Sequence, residues 1–290
     1  MYILQNENLI IESKNSGAEL TRIFSKKLNK EILWHADSKF WGRHSPILFP
    51  IVGKLKDNES IIENSTYNMS QHGFARDMNF DLFDSDKNTV TYKLVSNSNT
   101  KKLYPYSFEL LVKYTLLDSS VEIQWTVINT DDKKIYFSIG AHPAFNLNFN
   151  NCDSLSDYYL EFKHRDNVDK VLLNGPYSDH TVSVENIKTL NICNDSFKND
   201  ALIYTNIDQI SLKSNKCSET IKVNFKNFPL VGIWTPYYKE TNSTAPFLCI
   251  EPWHGLADNI NSDKVFKNKN YINTLSIGET FSTSYSITID

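Results

Sequence analysis

Glu109-Leu110-Leu111-Val112-Lys113-Tyr114-Thr115-Leu116-Leu117, followed by Asp118-Ser119-Ser120 and then Val121-Glu122-Ile123-Gln124-Trp125-Thr126-Val127-Ile128, is the stretch whose reading decides the fold. Apolar residues at 121, 123, 125 and 127 alternate with polar ones at 122, 124 and 126. Side chains on a strand point alternately to its two faces, so this period marks a strand with one buried face. The short polar turn joins the two runs into a β-hairpin. The same period recurs outward from this hairpin. Val90, Tyr92 and Leu94 alternate with Thr91 and Lys93; Ile221, Val223 and Phe225 with Lys222 and Asn224; and Tyr285, Ile287 and Ile289 with Ser286 and Thr288.

Helical periodicity is nearly absent. The best short helical stretches, 154–158 and 258–260, lack a sustained apolar stripe. The chain is rich in strand-favouring residues, with 15 Tyr and 17 Phe. Glycine is sparse at nine residues, so Asn, Asp and Ser clusters such as Asp84-Ser85-Asp86-Lys87-Asn88 are expected to carry the turns. A polar stretch near 148–157 reads as a long loop. No linker, low-complexity segment or long repeat interrupts the pattern. The expected fold is all-β: one domain over residues 1–290 built as a large antiparallel β-sandwich.

Composition excludes several function classes. Net charge is −4 and only four arginines are present, Arg22, Arg43, Arg76 and Arg165, with no basic cluster. A nucleic-acid partner needs a phosphate-neutralising surface that this chain lacks. The N-terminal residues Met1–Glu7 have neither the basic nor the apolar region of a signal peptide, and no apolar run is long enough to span a bilayer. No membrane association and a cytoplasmic location are expected. Cys152, Cys193, Cys217 and Cys249 are widely spaced with no CxxC pair, which argues against a zinc finger or a redox pair and for reduced thiols. The sequons at Asn64 and Asn242 are chance matches in an Asn-rich chain.

Four segments break the alternation and gather rare residue types: 41–53, 71–77, 138–146 and 247–255. In the last, Phe247-Leu248-Cys249-Ile250 runs straight into Glu251, and Pro252 is expected to end the strand. The strand period places Glu251 on the face of Cys249. A carboxylate in that position is costly unless paired or hydrogen-bonded, and desolvation raises its pKa toward the range useful for a general base. A strand-edge glutamate bonded to backbone amides explains the same residues. His142 lies between Ala141 and Pro143, after Gly140; His72 precedes Gly73 and Phe74. Each histidine taken alone also fits a structural role. A surface salt bridge is the plain reading of Arg43 and Arg76, most of all for Arg76 beside Asp77.

Taken together, Arg43-His44-Ser45-Pro46-Ile47-Leu48-Phe49-Pro50, Gln71-His72-Gly73-Phe74-Ala75-Arg76, Gly140-Ala141-His142-Pro143-Ala144-Phe145-Asn146 and Cys249-Ile250-Glu251-Pro252-Trp253 resemble the aldose 1-epimerase (galactose mutarotase) family, most closely its LacX-like branch. The strings stand in the family's order and span most of the chain. The resemblance implies the galactose mutarotase-like supersandwich with an open sugar cleft. It implies that Glu251 is the catalytic base and His142 the catalytic acid, and that His72 and Arg43 bind the sugar. It also implies an acidic sugar-binding residue between His142 and Glu251, for which Asp200 is the candidate.

Anomer interconversion needs one base at the C1 hydroxyl and one acid at the ring oxygen, and no metal, nucleotide or redox cofactor. The expected partner is therefore a small-molecule sugar, and an exposed β edge leaves a homodimer open. Trp253, Trp234 and Phe74 are candidate aromatic faces for a pyranose, with core packing the alternative for each. The competing readings are a mutarotase for sugar 6-phosphates, a non-catalytic carbohydrate-binding protein on the same scaffold, a zinc enzyme using His72, His142 and Glu251, and a glycosidase. The last usually needs a second catalytic carboxylate.

Overall fold

The computed structural model describes residues 1–147, 154–185 and 187–290. Cys152, and with it most of the expected long loop, lies outside them. Among the described residues there is no α-helix. The chain is built of antiparallel strands joined by turns and single 3₁₀ turns. Among the described residues, no helix is long and apolar enough to cross a membrane. The stretch at 154–158 becomes a 3₁₀ turn, Leu155–Asp157, leading into the Tyr158–His164 strand, and 258–260 forms no helix.

The deciding hairpin forms as read. Phe108–Leu117 pairs with Ser120–Asn129, with Leu117 opposite Ser120, so the turn is only Asp118-Ser119 and Asp118 takes a positive φ. Phe108, Leu110, Val112, Tyr114 and Leu116 are buried, as are Val121, Ile123, Trp125 and Val127. Their neighbours between are mostly half-buried. The hairpin sits inside a nine-stranded sheet whose spatial order is Thr189–Asn191, Tyr158–His164, Ile207–Ser214, Thr220–Asn224, Thr280–Ile289, Ser120–Asn129, Phe108–Leu117, Thr89–Val95 and Asp81–Ser85.

A second, eight-stranded sheet runs Tyr177–Val184, Val168–Asn174, Leu202–Thr205, Leu230–Trp234, Phe247–His254, Ile139–Ala141 and Ile47–Leu48, with Ala144–Asn146 also paired to Phe247–His254. The two sheets enclose one main core. Contacts such as Phe49 to Phe108, with ring centroids 5.0 Å apart, join them. A four-stranded sheet formed by Tyr2–Gln5, Leu9–Ser13, Leu20–Ser25 and Lys30–Glu31 adds Leu4, Leu9, Ile11, Leu20 and Ile23 to that core.

The central strand of the second sheet differs from those of the first. In Phe247–His254 every residue but the last is buried. Leu248 and Ile250 face the main core, whereas Phe247 and Cys249 belong to one satellite apolar cluster and Trp253 to another. A strand covered on both faces reads as a continuous apolar run, which is why alternation fades here. Glu251 falls between the two satellite clusters.

Buried charged groups tie the loops to this frame. Glu19 Oε1 accepts the backbone N–H groups of His44 at 2.8 Å and Ser45 at 3.1 Å, and Glu19 Oε2 pairs with Lys14 at 2.6 Å. Burial alone pushes the Glu19 carboxyl up, but these hydrogen bonds and the Lys14 charge outweigh it and bring its pKa down to about 2. Asp258 and Lys269 form a fully buried ion pair, and Asp258 also accepts the N–H of Lys56 at 2.8 Å.

A carboxyl whose pKa is lower folded than unfolded stabilises the fold above its unfolded pKa, and that stabilisation is lost as pH falls through the folded value. For Glu19 the gap from 4.5 to about 2 is worth about 3 kcal/mol. Urea unfolding from pH 7 down to pH 2 is expected to show wild type losing stability across this window. Glu19→Gln should start lower at pH 7 and lose less; equal acid slopes for the two proteins would contradict this assignment.

Candidate active site

Glu251 stands in mid-strand, because Pro252 does not end the strand as expected; it continues to His254. The reason lies in the neighbouring strand. Ile139–Ala141 pairs with the far end of Phe247–His254, up to Gly140 opposite Trp253, and Ala144–Asn146 resumes with Ala144 opposite Cys249. Between them His142-Pro143 interrupts the ladder. Backbone N–H directions alternate along a strand. The N–H of Ile250 points to Pro143 O at 3.3 Å, so the position where Pro252 lacks an N–H faces that interruption. The same gap brings His142 against Glu251.

His142 Nε2 lies 3.3 Å from Glu251 Oε2, and the two residues are 7% and 1% exposed. The approach is close but not aligned as a hydrogen bond: Glu251 Oε2 and His142 Nδ1 are buried without partners. Burial raises the Glu251 pKa well above the usual carboxylate range; the nearby Asp200 charge adds to this and the Trp253 indole N–H partly offsets it. Burial lowers the His142 pKa to about 3, helped by the positive charges of Arg76 and Arg43. Both directions favour one shared proton, resting on Glu251 beside a neutral imidazole.

The pair lies on the wall of a cavity of about 390 Å³ that also exposes His72, Asp200 and Arg76. The His72 backbone takes a left-handed conformation, φ 71°, and Gly73 follows at φ 73°; a Cβ on Gly73 would stand 2.3 Å from Phe49 O. This tight turn locks to the 49–53 segment. His72 N–H donates to Gly53 O at 2.9 Å, and Gly53 N–H donates to His72 Nδ1 at 3.1 Å. His72 Nδ1 is thus an acceptor, which leaves the ring proton on Nε2, 3.3 Å from the Gln71 side-chain amide. Burial, then the charges of His142, Arg76 and Arg43, lowers the His72 pKa and keeps the ring neutral.

Asp200 also has a positive φ, 72°, immediately before the Leu202–Thr205 strand. Loss of solvent around its carboxyl raises its pKa, while the Trp234 indole N–H and the Ala201 amide lower it. The residue is exposed at the mouth of the cleft.

Of Arg43 and Arg76, only Arg76 lines the cavity. Arg43 does not line the cavity; its Nη2 donates to Asp77 at 2.8 Å in a half-exposed ion pair. Arg76 does line it. Its Nη2 donates to Gln71 O at 2.7 Å, its buried Nε has no hydrogen-bond partner, and Asp77 stays 3.8 Å away. Asp77 turns toward the distant arginine rather than its sequence neighbour. Of the three candidate aromatic faces, Trp234 and Trp253 line the cavity; Phe74 packs in the main core against Phe49, Tyr104 and Phe108.

Residues that sequence reasoning did not assign complete the cleft. Trp41 stacks on His142 with ring centroids 4.7 Å apart and an interplanar angle of 26°, while Trp234 meets the same imidazole edge-on at 5.5 Å. Trp41 opens the first unusual segment, which was the available signal. Leu173 and Pro176, at the hairpin between Val168–Asn174 and Tyr177–Val184, form an apolar wall that no local motif announces. Trp253 lies across two glycines. A Cβ on Gly140 would stand 2.6 Å from Trp253 Cδ1, and one on Gly232 2.3 Å from Trp253 Cη2. The indole N–H donates to Ala141 O at 3.2 Å.

The aldose 1-epimerase family model matches residues 1–270. The chain belongs to the aldose 1-epimerase family. It is 32% identical to the chromosomal protein LacX of Lactococcus lactis subsp. lactis over 300 aligned residues, covering 99% of this chain and 98% of that protein. It superposes on the galactose mutarotase related enzyme of Lactobacillus acidophilus with a TM-score of 0.95 at 33% identity, covering 100% of this chain and 97% of the other. A galactose mutarotase-like protein of Lactobacillus casei gives a TM-score of 0.93 at 31% identity, with 100% of both chains covered. The sandwich fold implied by the sequence is thereby shown, and the relatives support a general mutarotase-like function.

Gly232→Ala is expected to force the Trp253 ring off its seat. Overpacking of this kind costs about 1–3 kcal/mol. Urea unfolding should show that loss together with a shifted tryptophan emission in the native baseline; a neutral substitution would mean that the ring can tilt freely.

Proposed function

We propose that this protein is an aldose 1-epimerase that interconverts the α and β anomers of a free aldose such as galactose or glucose. The observation that carries the reading is the His142–Glu251 pair: one acid and one base, 3.3 Å apart, buried on the wall of a cavity whose volume suits a small ligand. The C1 hydroxyl and the ring oxygen are bonded to the same carbon, so one acid and one base on the same cavity wall can reach both.

Ring opening removes the proton from the C1 hydroxyl and adds one to the ring oxygen. Glu251, through its unpartnered Oε2, takes the first, and His142 supplies the second. The open-chain aldehyde turns about C1–C2 and closes on its other face as the two roles reverse. The reaction needs the pair in its ion-pair form, whereas burial favours the neutral form at rest. Sugar hydroxyls that hydrogen-bond the charged groups would offset that preference. His72 Nε2–H and the Asp200 carboxylate supply one donor and one acceptor for the remaining oxygens. Trp253 and Trp234 supply apolar faces.

A phosphorylated aldose is the second reading. Arg76 favours it, because a guanidinium lining the cavity suits an anion.

Optical rotation of freshly dissolved α-D-glucose or α-D-galactose tests the first reading. Wild type should speed the decay, and Glu251→Gln and His142→Asn should each lower kcat by about 10²–10⁴ while remaining folded by circular dichroism. Inertness on several free sugars but activity on glucose 6-phosphate would select the second reading. Inertness on both would leave a carbohydrate-binding protein.

The two arginines give an independent check. A hydrogen bond to a charged group is worth about 1.5–3 kcal/mol, so Arg76→Ala is expected to raise KM about tenfold or more. Arg43→Ala, which breaks only a surface pair, should change KM less than about threefold. The reverse order would return the binding role to Arg43.

A further inference from the structure

The proposed reaction does not use Cys249, yet its placement is specific. It lies two residues before Glu251 on the same face of the Phe247–His254 strand and is fully buried. One ligand atom each from His142, Cys249 and Glu251 lies within 4.8 Å of the other two. The donors are a thiol, an imidazole and a carboxyl, and Glu251 Oε2 has no hydrogen-bond partner although Glu251 is only 1% exposed. Such an atom is costly in a dry site unless something other than protein satisfies it.

This donor set selects among cations. Mg²⁺ and Ca²⁺ prefer six or more oxygen ligands, which the site does not offer. Zn²⁺ takes sulfur, nitrogen and oxygen donors tetrahedrally, at about 2.3 Å to sulfur and about 2.0–2.2 Å to the others. Three donors on one zinc therefore stand roughly 3.3–3.8 Å apart. The 3.3 Å between His142 and Glu251 already meets this, and a separation at the 4.8 Å limit must shrink by about 1 Å. His142 and Glu251 both line the cavity, so an ion held between them would border it.

We propose that His142, Cys249 and Glu251 form a site for one zinc-like divalent cation, and that cation and sugar exclude one another. The exclusion rests on the proposed function, because the ion would occupy the acid and base; the site itself does not. On binding, the Cys249 thiol and the Glu251 carboxyl each lose a proton to solvent. The resulting thiolate and carboxylate balance the two positive charges, which matters next to Arg76. No electron is transferred, and His142 binds as the neutral imidazole.

Co²⁺ is the probe, because a thiolate ligand gives it a near-ultraviolet charge-transfer band that oxygen and nitrogen ligands do not. The full-length, fully reduced protein is titrated with Co²⁺ and then with Zn²⁺. One equivalent should develop the band, Zn²⁺ should abolish it, and Cys249→Ser should lack it. If the serine variant does not fold, Cys249→Ala serves. No band, or a band that survives in the folded Cys249 variant, overturns the site, since another cysteine would then hold the ion.

In the rotation assay, Zn²⁺ should slow wild type at least tenfold. Cys249→Ser should keep its activity and be at least tenfold less sensitive to the ion. Equal sensitivity of the two proteins overturns the exclusion. A Cys249-dependent band in a protein inert on all sugars would uphold the site while sinking the proposed function. Active protein without a band would do the opposite.

Discussion

A carboxylic acid buried at the centre of a β-sheet is the constraint around which the second sheet is arranged. Glu251 has neighbours on every side: the Leu230–Trp234 strand on one, the His142-Pro143 break on the other, the main core beneath Leu248 and Ile250, and satellite apolar clusters before and after it on its own face. In such surroundings an unpaired carboxylate costs several kcal/mol, so the group holds its proton unless a partner is present. His142 is that partner, and its own burial keeps it neutral. The sheet therefore carries a polar pair without a permanent charge.

Admitting this pair required departures from regular sheet geometry, and they coincide. The strand next to Glu251 breaks at His142-Pro143, which lets an imidazole enter where a ladder residue would stand. Pro252 occupies the one stretch of a central strand where a missing N–H is harmless. Gly140 and Gly232 surrender their side chains so that Trp253 can cover the site from one end. Each of these residues would be a defect in an ordinary strand, and together they make room for the His142–Glu251 pair.

The sandwich was legible in the sequence because the nine-stranded sheet leaves one face to water. The alternation in residues 121–127 and 285–289 therefore records the fold directly. The Phe247–His254 strand, covered on both sides, hid its extent, and Pro252 looked like its end. Glu251, His142, His72 and Asp200 were singled out from rare local patterns and a family resemblance, and the structure gathers all four around one cavity. The arginines were not separable in this way. Sequence shows that Arg76 adjoins Asp77 but not that Asp77 turns to Arg43. Nor does any local signal reveal that the Leu173–Pro176 hairpin overhangs the cleft, since that depends on strand order rather than on composition.

The ties described for the cleft loops share a property. The Glu19 carboxylate that holds residues 44 and 45, the Asp258–Lys269 pair behind Ala257, and the clasp between His72 and Gly53 all lie in the supporting structure rather than across the opening. The walls are therefore already in place before any guest arrives. A ligand entering them has little chain disorder to remove, so the free energy of its contacts is not consumed in organising the host.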